Sequence, residues 1–171
     1  MKRSATANSH PFQVAAVMSV CYNAEKDNSQ KGVETMFSHY LTFNRNCSEA
    51  LLFYAKIFNA EITDLQYYGD MLPSDGSGSL PLADRELVLH ARLVWRGSEI
   101  MFSDSPDRST SGKNMSISIT LNEAEFIQET WNFLATGAQE IYMELQPTFF
   151  ATAHGSLRDR FGINWMFTAM T

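Results

Sequence analysis

Three places in this 171-residue chain carry side chains whose types and spacing could do chemistry. The first is His90-Ala91-Arg92, set inside the apolar alternation of residues 87–95. Alternate residues of a strand share a face, so His90 and Arg92 point one way and Leu89, Ala91 and Leu93 the other. An imidazole beside a guanidinium can hold an anionic or carbonyl group, and the imidazole can act as a base near neutral pH. The second is Gln146-Pro147-Thr148-Phe149, where an amide and a hydroxyl can orient a polar ligand and a ring supplies contact area. The third is Cys47 at the start of an expected helix, where the dipole lowers a thiol pKa. No His stands near it in sequence, which favours a structural role. His154 is a weaker counterpart of His90, and His10 reads as inert. Competing with these readings are a hydrogen-bonded structural histidine at 90 and ordinary core packing for Phe150, Trp131 and Trp165.

The elements that must position these residues follow from periodicity. Residues 40–43 alternate as a strand. Asn46 with Glu49 three residues on has the form of a capping box. Ala50, Leu51, Tyr54, Ile57 and Phe58 then recur at helical spacing, and Asn59 suits a left-handed end. Residues 61–68 read as a strand and 69–84 as a long loop. A hairpin pairs 87–95 with 99–103 across Arg96-Gly97, where glycine supplies positive φ. After a loop over 105–113 comes a strand over 115–121. A helix capped by Asn122 with Glu125 follows, its stripe formed by Phe126, Ile127, Trp131 and Leu134, and Gly137 ends it. Residues 140–145, 149–157 and 163–169 read as strands, the last two joined by the turn 159–162.

The second half repeats the first. Phe53–Ile62 lies over Trp131–Ile141 with one residue inserted, an offset of 78 positions at the start. A repeat of this kind constrains architecture more than any single propensity. It predicts an α+β fold of two βαβββ modules, about 38–104 and 114–170, forming an incomplete barrel around a cleft. In the first strand Leu41 and Phe43 share the parity that packs under the helix, which turns Tyr40 and Thr42 toward the cleft. Residues 1–37 read as an N-terminal extension or arm before a domain over 38–171. Met36 is a candidate start.

Composition narrows the function classes. The net charge of −6 and the absence of Lys/Arg clusters argue against nucleic acid. No apolar run approaches the roughly 20 residues that span a bilayer. Two cysteines are too few for a disulfide framework. The run Val14–Val20 is short for a signal peptide and follows the polar His10 and Pro11, so a cytoplasmic protein is expected.

Four blocks, in order and with compatible spacing, carry a family resemblance. They are Tyr40-Leu41-Thr42-Phe43-Asn44-Arg45-Asn46-Cys47-Ser48-Glu49-Ala50 with Phe53-Tyr54; His90–Leu93 with Gly97–Asp104; Gln146–Phe150; and Asp159–Met166. Over residues 38–170 the chain resembles the PhnB-like branch of the vicinal oxygen chelate superfamily, which includes glyoxalase and bleomycin-resistance proteins. Some members carry the name demethylubiquinone methyltransferase by similarity. This chain lacks a Gly-rich strand-to-helix turn for a nucleotide-like cofactor, and Asp75-Gly76-Ser77-Gly78 has no helix signal after it.

The resemblance implies a small-molecule ligand in the cleft, with Tyr40, His90, Arg92, Gln146, Thr148 and Phe149 as binding candidates, and a homodimer. Enzymes of the superfamily hold a divalent metal through His and Glu side chains from four strands. Here His39 falls at the first such position, although its parity turns it toward the helix layer; the second-half opening position falls near Asn114, and another falls within Glu99–Ser103, where the sequence leaves the inward residue open. The closing position is Met166, whose thioether is a poor ligand for a hard cation. The expected function is therefore small-molecule binding without a full catalytic metal site. A metal-dependent lyase, isomerase or dioxygenase stays open as the alternative.

Overall fold

The structure, a computed structural model, describes residues 38–71, 80–106 and 112–170. The extension over 1–37 and the segment Asp75–Gly78 lie outside the described residues. Strand β1 (His39–Phe43), helix α1 (Cys47–Phe58) and strands β2 (Glu61–Tyr67), β3 (Val88–Trp95) and β4 (Ser98–Asp104) make the first module. Strand β5 (Ile117–Leu121), helix α2 (Ala124–Ala135) and strands β6 (Glu140–Gln146), β7 (Ala153–Arg158) and β8 (Asn164–Ala169) make the second. Each module is a four-stranded sheet, ordered β1-β4-β3-β2 and β5-β8-β7-β6, with the first strand parallel to the last and the other pairs antiparallel. The fold is α+β, a doubled βαβββ plan with two open sheets and no closed barrel.

Local chemistry explains the joints. Arg96 and Gly97 both take positive φ, 50° and 79°, as a two-residue hairpin turn matched to strand twist requires. Asn59 sits in the left-handed region, and the N–H groups of Asn59 and Ala60 return to the last carbonyls of α1.

The helix starts differ from the sequence reading. Neither Asn46 nor the residue before α2 makes a side-chain capping bond. At α1 the donor is met from outside the helix, because Asp104 Oδ1 at the end of β4 accepts the Cys47 N–H at 2.9 Å while Oδ2 accepts that of Val88 at 2.9 Å. The second helix begins at Ala124, with Glu123 at the cap position. The expected strand over 149–157 starts only at Ala153, since the Thr148 N–H closes a turn onto Ala151 O at 3.0 Å.

One core serves both modules. Leu41 and Phe43 face α1 as expected, and Phe43 stacks on Phe102. Tyr54 of α1 reaches across to the second module. Its hydroxyl donates to Asp159 Oδ2 at 2.6 Å, and Trp165 Nε1 donates to the same oxygen at 2.8 Å. Asp159 Oδ1 accepts the N–H groups of Phe161 and Ile163. The Asp159 carboxylate is fully buried and has four donors, the condition under which a buried charge is tolerated. Burial and this carboxylate push the Tyr54 phenol well above its ordinary range. Trp95 stacked on Phe126 adds a further contact between the modules.

Candidate functional site

The modules meet through their helix sides, so the opposite face of each sheet is where a ligand can be received. On the first sheet, Tyr40 pairs with Met101, Met101 with Arg92, and Arg92 with Thr63, placing all four on that face. Gln66 pairs with His90, and Thr42 pairs with Ser103. Continuing the β3–β4 register by one residue sets His90 beside Ser103. A transverse row Gln66–His90–Ser103–Thr42 results, with the Tyr40 ring 6.1 Å from that of His90. His90 is only 1% exposed. Burial first, and then the Arg92 charge, hold its pKa below the ordinary 6.5, so the imidazole is neutral near pH 7. Arg92 is already engaged: its Nε lies 3.1 Å from Asp64 and its Nη1 3.5 Å from Glu99.

The second sheet repeats this row. Gln146 pairs with His154, His154 with Thr168, and Thr168 with Thr120. His154 Nδ1 lies 3.0 Å from the Thr168 hydroxyl, and Phe150 packs edge-on against the imidazole at 5.1 Å. The equivalence is positional. Ala91, Phe102 and Leu41 lie abreast in one sheet as Gly155, Phe167 and Ile119 do in the other.

Sequence reasoning missed Gln66 for a clear reason. Parity counted from Glu61 puts Leu65 on the ligand face. A bulge at Asp64, where φ is 52°, shifts the register between Thr63 and Gln66 and brings Gln66 round instead. The repeat offset of 78 carries His90 to position 168, and only the sheet registers, with a shorter connection before β7 than before β3, bring His90 and His154 into equivalent places.

The other candidates are placed as follows. Thr148 closes the turn before β7, and Phe149 beside it is fully exposed, against Phe150. His39 shares the face of Leu41 and lines a groove of about 540 Å³ between the modules, with Leu93, Trp95, Ile119 and Trp165. It stands on the opposite side of the sheet from Tyr40. Cys47 is buried, and burial together with Asp104 pushes its thiol far up, away from the thiolate a nucleophile needs. Among the described residues no group of three His, Cys, Asp or Glu side chains gathers as a metal cage.

Two βαβββ modules, packed through their helix sides with the faces that carry the two rows turned away from each other, define a vicinal oxygen chelate protein. The family model described as 3-demethylubiquinone-9 3-methyltransferase matches residues 34–168, and the chain belongs to that PhnB-like family. It is 30% identical over 135 residues to Protein YjdN of Escherichia coli (strain K12), an alignment covering 75% of this chain and 91% of the relative. The crystal structure of protein PA1353 from Pseudomonas aeruginosa is 31% identical, with a TM-score of 0.65, over 80% of this chain and 98% of that one. A structure described as a putative 3-demethylubiquinone-9 3-methyltransferase, PhnB protein, from Bacillus cereus is 28% identical, with a TM-score of 0.64, over 79% and 99%.

Proposed function

We propose that this protein binds an organic small molecule against the outward sheet faces and does so without a full catalytic metal site. The observation that carries the reading is the repeated row of amide, imidazole and hydroxyls, once per sheet. Such rows hold a ligand by orientation-specific hydrogen bonds, and Tyr40 and Phe149, already candidates from sequence, add aromatic contact area. Thr148 has its hydroxyl and N–H directed to Ala151, so its share is to fix the turn that presents Phe149. At the superfamily's closing metal position stands Met166, which supports binding over Lewis-acid chemistry.

The reading includes a homodimer in which the first sheet of one copy covers the second sheet of the other, enclosing the ligand. Support comes from the apolar side chains left in water on these faces: Tyr40, Tyr142, Phe149, Phe150 and Met166 are all exposed. It also includes a cytoplasmic setting, which the free Cys47 thiol supports.

Two measurements on one preparation test this. Light scattering after gel filtration should give twice the chain mass, and Met166→Arg should halve it. Elemental analysis should find no stoichiometric Ni, Zn, Fe or Mn. A stoichiometric metal released by His39→Ala or His90→Ala would replace the reading with a metal-dependent enzyme.

A further inference from the structure

Arg158 is the one arginine or lysine among the described residues that is half-buried and has no recorded side-chain partner. Arg45 pairs with Asp84, Arg92 with Asp64 and Glu99, Arg96 with Glu123, and Lys113 with Glu140. Arg160 lies over the Phe53 ring at 4.1 Å. Arg158 Nε, like Arg92 Nε, is sealed from solvent without a well-aligned hydrogen bond, but Arg92 Nε has the Asp64 carboxylate 3.1 Å away and Arg158 has no carboxylate paired with it among the described residues. The carboxylates nearest in sequence and register are both occupied. Glu140, its cross-strand partner, is 2.6 Å from Lys113 Nζ, and Asp159 has its oxygens filled by Tyr54, Trp165, Phe161 and Ile163.

The position is also specific. Arg158 has the strand parity of Ser156 and His154, so it stands on the ligand face, beside Asn164 of β8. A Cβ built on Gly162 would lie 3.4 Å from its Nη2, so the turn residue is one that leaves the guanidinium room. In the first module the same position is Val94. A buried, unmet donor costs about 1–3 kcal/mol, so one kept on the face that receives the ligand points to a ligand group that meets it.

We propose that Arg158 anchors an oxyanion, so that the small molecule of the preceding section is an organic anion. Its carboxylate or phosphate sits on the guanidinium and its body runs along Ser156 toward His154 and Phe150. This rests on the reading of the sheet faces as the ligand site and adds the ligand's charge. It moves the anion-holding role from Arg92, whose charge Asp64 and Glu99 cancel, to an arginine the sequence did not single out. The overall charge of −6 opposes anions only through a long-range field that salt screens within about 10 Å.

The test titrates benzoate, phenyl phosphate and the neutral isostere benzamide into the full chain by calorimetry, with the Arg158 Nε–H followed by NMR. One of the two anions should bind and shift that signal, and the preferred anion tells carboxylate from phosphate. Arg158→Gln should weaken it at least about tenfold, or 1.4 kcal/mol, and Arg92→Gln less than about twofold. Arg158→Lys should hurt a planar carboxylate more than a phosphate, because the bidentate fork is lost. Arg158→Met should leave thermal stability unchanged or raised, since it removes an unmet donor.

The anchor is overturned if Arg158→Gln binds as the parent does, if neither anion binds by about 10 mM, or if Arg158→Met unfolds the protein. Binding of benzamide with both anions excluded would overturn the anchor alone and leave the ligand face standing. An organic molecule found off both sheet faces would overturn the proposed function itself.

Discussion

The two sheets carry the same polar row and then part company. Gln66–His90–Ser103–Thr42 and Gln146–His154–Thr168–Thr120 superpose strand for strand, each with an aromatic ring against its histidine. Farther along, the first face has an arginine cancelled by two carboxylates, and the second has an uncancelled one. Duplication thus kept the hydrogen-bonding row and let the arginines diverge. Such a row can hold a ligand from either side, whereas a fixed cation sets which end of it goes where. The supports diverge as well. Asp104 ties α1 to its sheet, and at its position in the second module stands Ala169.

The comparison can be broken at these supports. The largest effect is expected at Asp159, which joins the modules and has Trp95 at its position in the first half. Asp159→Ala strands Tyr54 and Trp165 in the core and should cost roughly 3–5 kcal/mol in urea unfolding. A cost under about 1 kcal/mol would mean the modules are held by apolar packing alone.

Next in size is Asp104. Asp104→Ala should cost about 1–3 kcal/mol, because the Cys47 and Val88 N–H groups lose their acceptor. Burial raises this carboxyl above 3.8 despite those bonds. As the pH falls, the folded chain therefore takes this proton before the unfolded chain does. The contribution stabilises the fold as pH drops toward 3.8 and is lost as pH rises through the folded value. Asp104→Asn should flatten that part of a stability–pH curve.

The smallest effect sharpens the histidine comparison. His90 has its pKa held below 6.5, so between its folded value and 6.5 the unfolded chain binds more protons. Stability should fall as the pH is lowered through 6.5, and His90→Gln should remove that slope. An unchanged slope would assign it to another group.

Much of this was legible in the sequence because it rests on short periods. Alternation over 87–95 put His90 and Arg92 on one face, and the repeat gave the doubled plan. Parity in the first strand put Tyr40 and His39 on opposite sides. What stayed hidden depends on contacts between distant residues or on a single inserted one. The bonds from the Cys47 N–H to Asp104 and from the Tyr54 hydroxyl to Asp159 span 57 and 105 positions, beyond any local pattern. Gln66 is turned onto the ligand face by one bulge. The charge on Arg92 cannot be known as cancelled until Asp64 and Glu99 are seen beside it, and Arg158 cannot be known as free until its neighbours are seen engaged elsewhere.

The most direct test of the account is a crystal structure of the purified protein with the small molecule it retains. Density should lie between the His90 face of one copy and the His154 face of another, touching both glutamines. An organic molecule seated instead in the groove beside His39 and Trp95, or an ion held by three or more protein donors, would contradict it.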